Sequence, residues 1–210
     1  MFKNLLNPDN TLMVTFSHIT DCIFLSFFWL LGCFPLITIG TSFAALYDAT
    51  YRGFRQGEKH SWQRFLQVYK QNLKSGIVPT VVFLAAAGVL VKVMVSLWNS
   101  AVYGEISWMV FAVGAFAGVL VVGILSILFP MFSRFDNSTG ILFKNTILLA
   151  LANIPLTLGL GLLNTVCLIL CIWLVIPLFL LPSLTALLGS FFIEPMFKPY
   201  LPNSSEAAAE

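Results

Sequence analysis

The chain has 210 residues, of which 59% are hydrophobic and only 10% are charged, and its formal net charge is +2. An ordinary soluble domain has about 25% charged residues, so this composition excludes a soluble globular protein and indicates an integral membrane protein. The near-neutral charge gives no support to nucleic-acid binding, whereas 20 Phe and 5 Trp residues suit contact with a lipid bilayer.

Five apolar segments are long enough to cross a membrane as helices, which requires roughly 20 residues each. We predict spans at about 15–37, 76–98, 106–130, 142–162 and 166–192. The last two divide the apolar region 141–193, and we place the turn between them near Asn164. The predicted fold is an all-α integral membrane protein with a single membrane domain over residues 1–200 and a disordered tail at 201–210.

The first apolar segment ends in the sequence CFPLITIGTS. Pro35 lacks an N–H group and kinks or ends a helix, while Gly40 allows backbone conformations that other residues avoid. Thr38, Thr41 and Ser42 are candidate caps for a new helix. We predict that the chain leaves the membrane here and continues as a helix at the membrane surface.

Residues 41–75 are predicted to form amphipathic, basic helices at the cytoplasmic membrane surface. In the second of these helices, aromatic and apolar side chains recur every three or four residues, so they share one face. We interpret this segment either as a membrane anchor or as a docking surface for a partner protein. The candidate partner surface consists of Arg52, Arg55, Trp62, Arg64, Phe65, Tyr69 and Lys70.

Basic residues alternate between successive loops. They are concentrated in segment 50–75 and recur in segment 131–144, whereas the loop 99–105 contains none. The positive-inside rule then predicts a multi-pass protein of the bacterial plasma membrane, with the N-terminus outside and the C-terminus in the cytoplasm. Trp98 and Trp108 flank the predicted outer loop and fit an aromatic belt.

Two motifs give the chain a resemblance to a known family. The first is P-x-x-T-x-G and the second A-A-L-Y, and the basic segment SWQRFLQVYKQNLKSG follows them. In these motifs the chain resembles the YesL-like family of bacterial integral membrane proteins, a domain of unknown function. The resemblance implies a Gram-positive or related bacterium, a gene beside carbohydrate uptake systems, and no established catalytic residues. The candidate structural motif consists of Pro35, Thr38, Gly40 and Tyr47.

Polar residues inside the predicted spans are candidates for function, because charge within lipid is costly. His18 and Asp21 share a helix face. In a functional interpretation the pair relays a proton or binds a cation. In the alternative, both residues lie at the outer membrane interface. Asn153 precedes Pro155, so its amide either makes structural hydrogen bonds or contacts a solute. Lys92 either extends its amine to the outer surface or acts as a buried counter-ion.

The sequence contains no motif of a known catalytic site: neither G-x-S-x-G, nor H-E-x-x-H, nor a Gly-rich phosphate loop. Cys167 and Cys171 are one helical turn apart, but without a nearby His or carboxylate they do not form a credible zinc site. We therefore expect no enzymatic activity, no metal and no cofactor.

We expect an accessory membrane subunit of a bacterial carbohydrate ABC importer, which packs against permease helices and turns its basic segment toward the ATPase. The stretch FAALYDATYRG lacks the leading glutamate of the permease loop that grips the ATPase, which argues against the permease itself. Two alternatives remain open: an independent small solute transporter or channel, and a membrane scaffold or sensor.

Overall fold

The structure is a computed structural model that describes residues 11–58, 60–104, 106–135, 138–173 and 179–200, with residues 11–18 described by their backbone alone. The predicted tail at 201–210 lies outside this part of the chain. The described residues form eight α-helices: α1 (Thr11–Cys33), α2 (Ile39–Thr50), α3 (Ser61–Asn72), α4 (Ile77–Val102), α5 (Trp108–Arg134), α6 (Thr139–Ala152), α7 (Ile154–Trp173) and α8 (Leu181–Phe197).

Three of these helices, α4, α5 and α7, are long and apolar enough to cross a membrane, as judged over the residues that the structure describes. The described part of α1 and the whole of α6 are shorter apolar helices. Together with the purely helical architecture, these lengths confirm the prediction of an all-α membrane protein.

Helix α5 lies in the middle of the bundle, where it contacts α2, α4, α6 and α7. The closest contact is between α5 and α7, where the two backbones touch. A Cβ atom on Gly161 would overlap the carbonyl oxygen of Val119, and one on Gly123 would overlap that of Thr157. Glycine is therefore required at both positions by close packing, which is how helices commonly associate in membranes.

Helices α1 and α8 are joined by a buried polar contact in an otherwise apolar interface. The Ser26 hydroxyl donates to Ser183 Oγ over 3.0 Å, and the Ser183 hydroxyl lies 2.9 Å from the carbonyl oxygen of Cys22. Both serine side chains are fully buried. These bonds fix the position of α8 along α1, because a shift would leave buried hydroxyls without partners.

The predicted turn near Asn164 is wrong. Asn164 lies within α7, where its side-chain amide donates to the carbonyl oxygen of Leu160 over 2.9 Å. The break lies earlier, at Asn153, whose backbone leaves the helical conformation between α6 and α7. Pro155 lacks an N–H group, so the helix cannot continue its regular bonding there. Region 141–193 therefore contains parts of three helices instead of two.

The end of α1 also differs from the prediction. The helix ends at Cys33, four residues before the predicted boundary, because Pro35 takes an extended conformation and a 3₁₀ turn follows at Leu36–Thr38. Thr38 precedes α2, but its hydroxyl does not cap that helix. It lies 2.8 Å from the carbonyl oxygens of Gly32 and Pro35, so it stabilises the end of α1 instead.

Helix α2 is enclosed by the rest of the protein. Ten of its 12 residues are buried, and it contacts α1, α3, α4, α5 and α8. The prediction that this segment lies at the membrane surface is therefore wrong, because the helix is buried within the protein. Its composition explains why: small Ala side chains allow close neighbours, and hydroxyls such as that of Thr50, 2.7 Å from the Leu46 carbonyl oxygen, bond to the helix's own backbone.

Gly40 at the start of α2 is needed for space. Its backbone is helical, which any residue can adopt, but a Cβ atom there would overlap the Phe129 ring and Thr80 Oγ1. The prediction that Gly40 serves an unusual backbone conformation is thus corrected: the glycine lets α2 approach α4 and α5.

We expect Gly161→Ala to destabilise the protein and Gly88→Ala to leave it at least as stable. Alanine favours a helix over glycine by about 1 kcal/mol at both positions. At Gly161 this gain is outweighed, because the new methyl group meets backbone atoms that cannot rotate away, whereas Gly88 faces open space. Overpacking of this kind costs about 1–3 kcal/mol, so the melting temperature in detergent should fall by several degrees for Gly161→Ala alone. Equal melting temperatures of the two variants would contradict the contact between α5 and α7.

Candidate functional site around helix α2

A π-helical turn at Tyr51–Arg55 continues α2 without interruption. Such turns are rare and occur frequently at functional sites. The turn carries Tyr51, Arg52 and Arg55, and each of these side chains contacts a charged or aromatic group. The turn and the end of α2 together build two groups of ion pairs.

The first group, which we call the Asp48 network, joins α2 to α3. The Asp48 side chain is only 2% exposed. Its Oδ1 accepts from Arg52 Nε over 3.1 Å, and its Oδ2 accepts from Arg64 Nε over 2.6 Å. Arg52 also reaches the exposed Glu58 over 3.4 Å. Both oxygens of the buried carboxylate therefore have a charged donor, as burial requires.

The second group, the Glu194 network, joins α2 to α5 and α8. Glu194 Oε1 accepts from Arg134 Nη2 over 2.6 Å and from the Tyr47 hydroxyl over 2.9 Å. The Arg134 and Glu194 side chains are each 12% exposed. Burial, and next the negative charge of Glu194, raise the pKa of the Tyr47 phenol well above its usual range. The phenol thus stays protonated and serves as a donor to the carboxylate.

Aromatic rings complete the surroundings of the arginines. The Arg134 guanidinium lies 4.1 Å from the centre of the Tyr51 ring, and the Arg55 guanidinium lies 4.6 Å from that of Phe191. Arg55 Nη1 also donates to the Ser190 carbonyl oxygen over 3.2 Å. Such cation–π contacts contribute more when they are shielded from water. Arg134 Nε is buried without a hydrogen-bond partner among the described residues.

Two adjacent residues of α2 hold these networks, since Asp48 faces α3 and Tyr47 faces α5 and α8. The arrangement fixes helices relative to one another. Among the described residues, no group of three His, Cys, Asp or Glu side chains could hold a metal ion. The geometry thus indicates a structural junction at the end of the bundle where α2 and α3 lie.

The seven residues of the candidate partner surface do not form one exposed surface. Five of them are engaged within the protein: Arg52, Arg55, Arg64, Phe65 and Tyr69. Phe65 is buried beside α2, and the Tyr69 hydroxyl lies 3.4 Å from the Gly32 carbonyl oxygen. Lys70 is exposed on α3, whereas the ring of Trp62, although 42% exposed, stacks on that of Phe28 in α1 with centroids 6.4 Å apart.

The four residues of the candidate structural motif lie in α2 or directly before it. Pro35 and Thr38 belong to the turn before α2, Gly40 lies in its first turn, and Tyr47 takes part in the Glu194 network. The three candidate intramembrane residues are separate from this motif. Asp21 is partly exposed on α1, and the His18 side chain lies outside the described residues. The Asn153 amide donates to the Leu149 carbonyl oxygen over 3.1 Å, at the break between α6 and α7.

Sequence reasoning missed three members of the networks: Asp48, Arg134 and Glu194. Two signals were present. Asp48 lies four residues before Arg52, the spacing of a helical ion pair, and Glu194 is an acidic residue in an apolar segment, where charge calls for a partner.

The fold and the networks define an all-α membrane protein whose enclosed helix is fixed by buried ion pairs. Residues 11–92 match the model of an uncharacterised family described as "Protein of unknown function, DUF624". The match covers the Asp48 network and ends at Lys92, so it includes neither Arg134 nor Glu194. No curated protein and no solved structure matches the chain.

We expect Asp48→Asn to destabilise the protein strongly. The substitution leaves Arg52 and Arg64 without their shared carboxylate. Both arginines keep some contact with water, so the loss should lie below the about 3–5 kcal/mol that breaking a fully buried pair costs. Glu58→Gln is the matched control, because it removes an exposed pair worth at most about 1 kcal/mol. Unfolding in detergent measures both, and similar losses would contradict the central position of Asp48.

We expect Arg134→Gln and Glu194→Gln to be non-additive. Each single variant leaves one largely buried charge unpaired, whereas the double variant removes both charges. Contacting charged residues show coupling of about 0.5–3 kcal/mol, so the double variant should lose less stability than the sum of the single losses. The measurement is a double-mutant cycle of free energies of unfolding. Additive losses would show that the pair does not couple α5 to α8.

Proposed function

We propose that the protein is an accessory membrane subunit of a bacterial carbohydrate ABC importer, which packs against the permease helices. The observation that carries this proposal is the exposure of α4. Of its 26 residues, only Pro79, Thr80 and Ala101 are buried. A membrane-length helix with one long neighbour has surface available for helices of another protein.

The state of the charged residues further supports a binding role over a transport role. The buried carboxylates of Asp48 and Glu194 have guanidinium partners, and the pairs of Arg64 with Asp48 and of Arg134 with Glu194 join different helices. A solute pathway needs polar groups that face a cavity, whereas these face their partners. The resemblance to the YesL-like family adds the carbohydrate uptake system as the context.

The basic end of the bundle faces the cytosol in this proposal, as the positive-inside rule favours. Because Arg52, Arg55 and Arg64 are engaged internally, an ATPase subunit would meet the exposed residues of α3, which include Lys70.

Purification of the tagged protein from its native membranes in mild detergent tests this function. We expect a sugar permease and its ATPase to copurify in fixed proportion, as measured by quantitative mass spectrometry. An equally abundant tagged membrane protein of similar size serves as the control bait. Copurification with the control bait to the same extent, or absence of both subunits, would overturn the proposal.

Reconstitution separates the two alternatives from the proposal. Solute flux into vesicles that contain the purified protein alone would support an independent transporter or channel and contradict an accessory role. Normal sugar uptake by a deletion strain, in the absence of copurifying importer subunits, would support a scaffold or sensor.

A further inference from the structure

Helix α4 presents a charged residue at the centre of its uncovered side. The helix packs on α5 through Leu90, Met94 and Leu97, which lie beside Gly114 and Gly118. At about 100° per residue, Lys92 points away from this contact. Six other exposed residues lie within about 40° of its direction and form, with Lys92, what we call the Lys92 face: Val78, Val81, Ala85, Gly88, Ser96 and Asn99.

Val78 and Val81 of the Lys92 face suit lipid, but its polar residues do not. Lys92 forms no salt bridge with any acidic residue that the structure describes. A lysine within a membrane helix costs about 3 kcal/mol at the bilayer centre, and hydrocarbon offers it no partner. Ala85 and Gly88 are small enough to let a second helix approach closely. Ser96 and Asn99 supply hydrogen-bonding groups along the same line.

We propose that the Lys92 face binds a transmembrane helix of another protein, one that carries an Asp or Glu side chain at the depth of Lys92. This inference rests on the proposed function, in which that helix belongs to the permease. Charge complementarity selects the partner, because a carboxylate neutralises the ammonium group and accepts its hydrogen bonds. A two-fold dimer through the same face is disfavoured, since it would place Lys92 against its own copy.

Lipid is the competing occupant. The Trp98 and Trp108 rings contact each other with centroids 5.9 Å apart, near the end of α4. The six residues from Lys92 to Trp98 correspond to about 9 Å along the helix, so the amine would have to extend toward the headgroups over that distance. The experiment must therefore distinguish a protein helix from lipid.

Photo-crosslinking in native membranes makes this distinction. In two test variants, a photoreactive amino acid replaces Ala85 or Ser96 on the Lys92 face. In two control variants it replaces Val91 or Val93, which are also exposed but point about 100° away from the direction of Lys92. We expect the first two positions to give one protein adduct whose crosslinked peptide contains Asp or Glu within an apolar segment. The two control positions should give little of this adduct.

Charge substitutions then test the role of Lys92 itself. Removing one partner of a desolvated charge pair costs about 2–5 kcal/mol, so Lys92→Met should lower the adduct yield at least about ten-fold. Lys92→Arg should retain the adduct. Lys92→Asp should abolish it, and replacing the partner carboxylate by lysine should restore it. Unchanged melting of each variant in detergent confirms that the fold is intact.

Adducts with lipid or with a second copy only, or an unchanged yield for Lys92→Met, would overturn this inference. The outcome is separable from that of the proposed function. If the importer subunits copurify but the expected adduct does not form, the accessory role is supported and the binding of a helix by the Lys92 face is refuted. If the adduct forms with an acidic helix of a protein that belongs to no importer, the binding of a helix by the Lys92 face is supported and the accessory role is refuted.

Discussion

The position of α2 depends on the burial of one carboxylate. Asp48 is almost entirely removed from water, and an unpaired carboxylate in such a place would cost several kcal/mol. Arg52 and Arg64 both bond to it, one from the turn that follows α2 and the other from α3. Helix α3 therefore does more than pack against α2, because its Arg64 is one of the two guanidinium groups that neutralise the buried Asp48 carboxylate.

The Glu194 network extends the same constraint into the long helices. Tyr47 precedes Asp48 directly, so a rotation of α2 that broke one network would also displace the other. Through Tyr47, the position of α2 is coupled to Arg134 at the end of α5 and to Glu194 in α8. Apolar residues of similar size often stabilise a protein as well as a buried ion pair does. We therefore attribute to these pairs the fixed register of the helices, since each bond is satisfied in only one arrangement.

The sequence predicted the class of protein because length and apolar composition are local properties. It did not predict that α2 is enclosed, since this depends on partners distant along the chain. Arg52, Arg55 and Arg64 have the composition of a water-facing surface. Asp48 lies one helical turn before Arg52, but only the fold brings Asp48 to Arg64 and Ser190 to Arg55. The break at Asn153 was misplaced for a related reason. Asn164 has the same side chain, but no proline follows it, so its amide bonds within an unbroken helix.

Lys92 differs from the arginines in how its charge is accommodated. Around α2, each arginine has a partner within the chain, because helices from several directions converge there and bring acidic or carbonyl oxygens within reach. Among the described residues, α4 packs mainly on α5 and has its buried residues near its two ends. Its inner face is filled by Leu90, Met94 and Leu97, so Lys92 is directed outward. The protein thus pairs the arginines around α2 internally, where helices converge, and leaves the charge of Lys92 to its surroundings, where they do not.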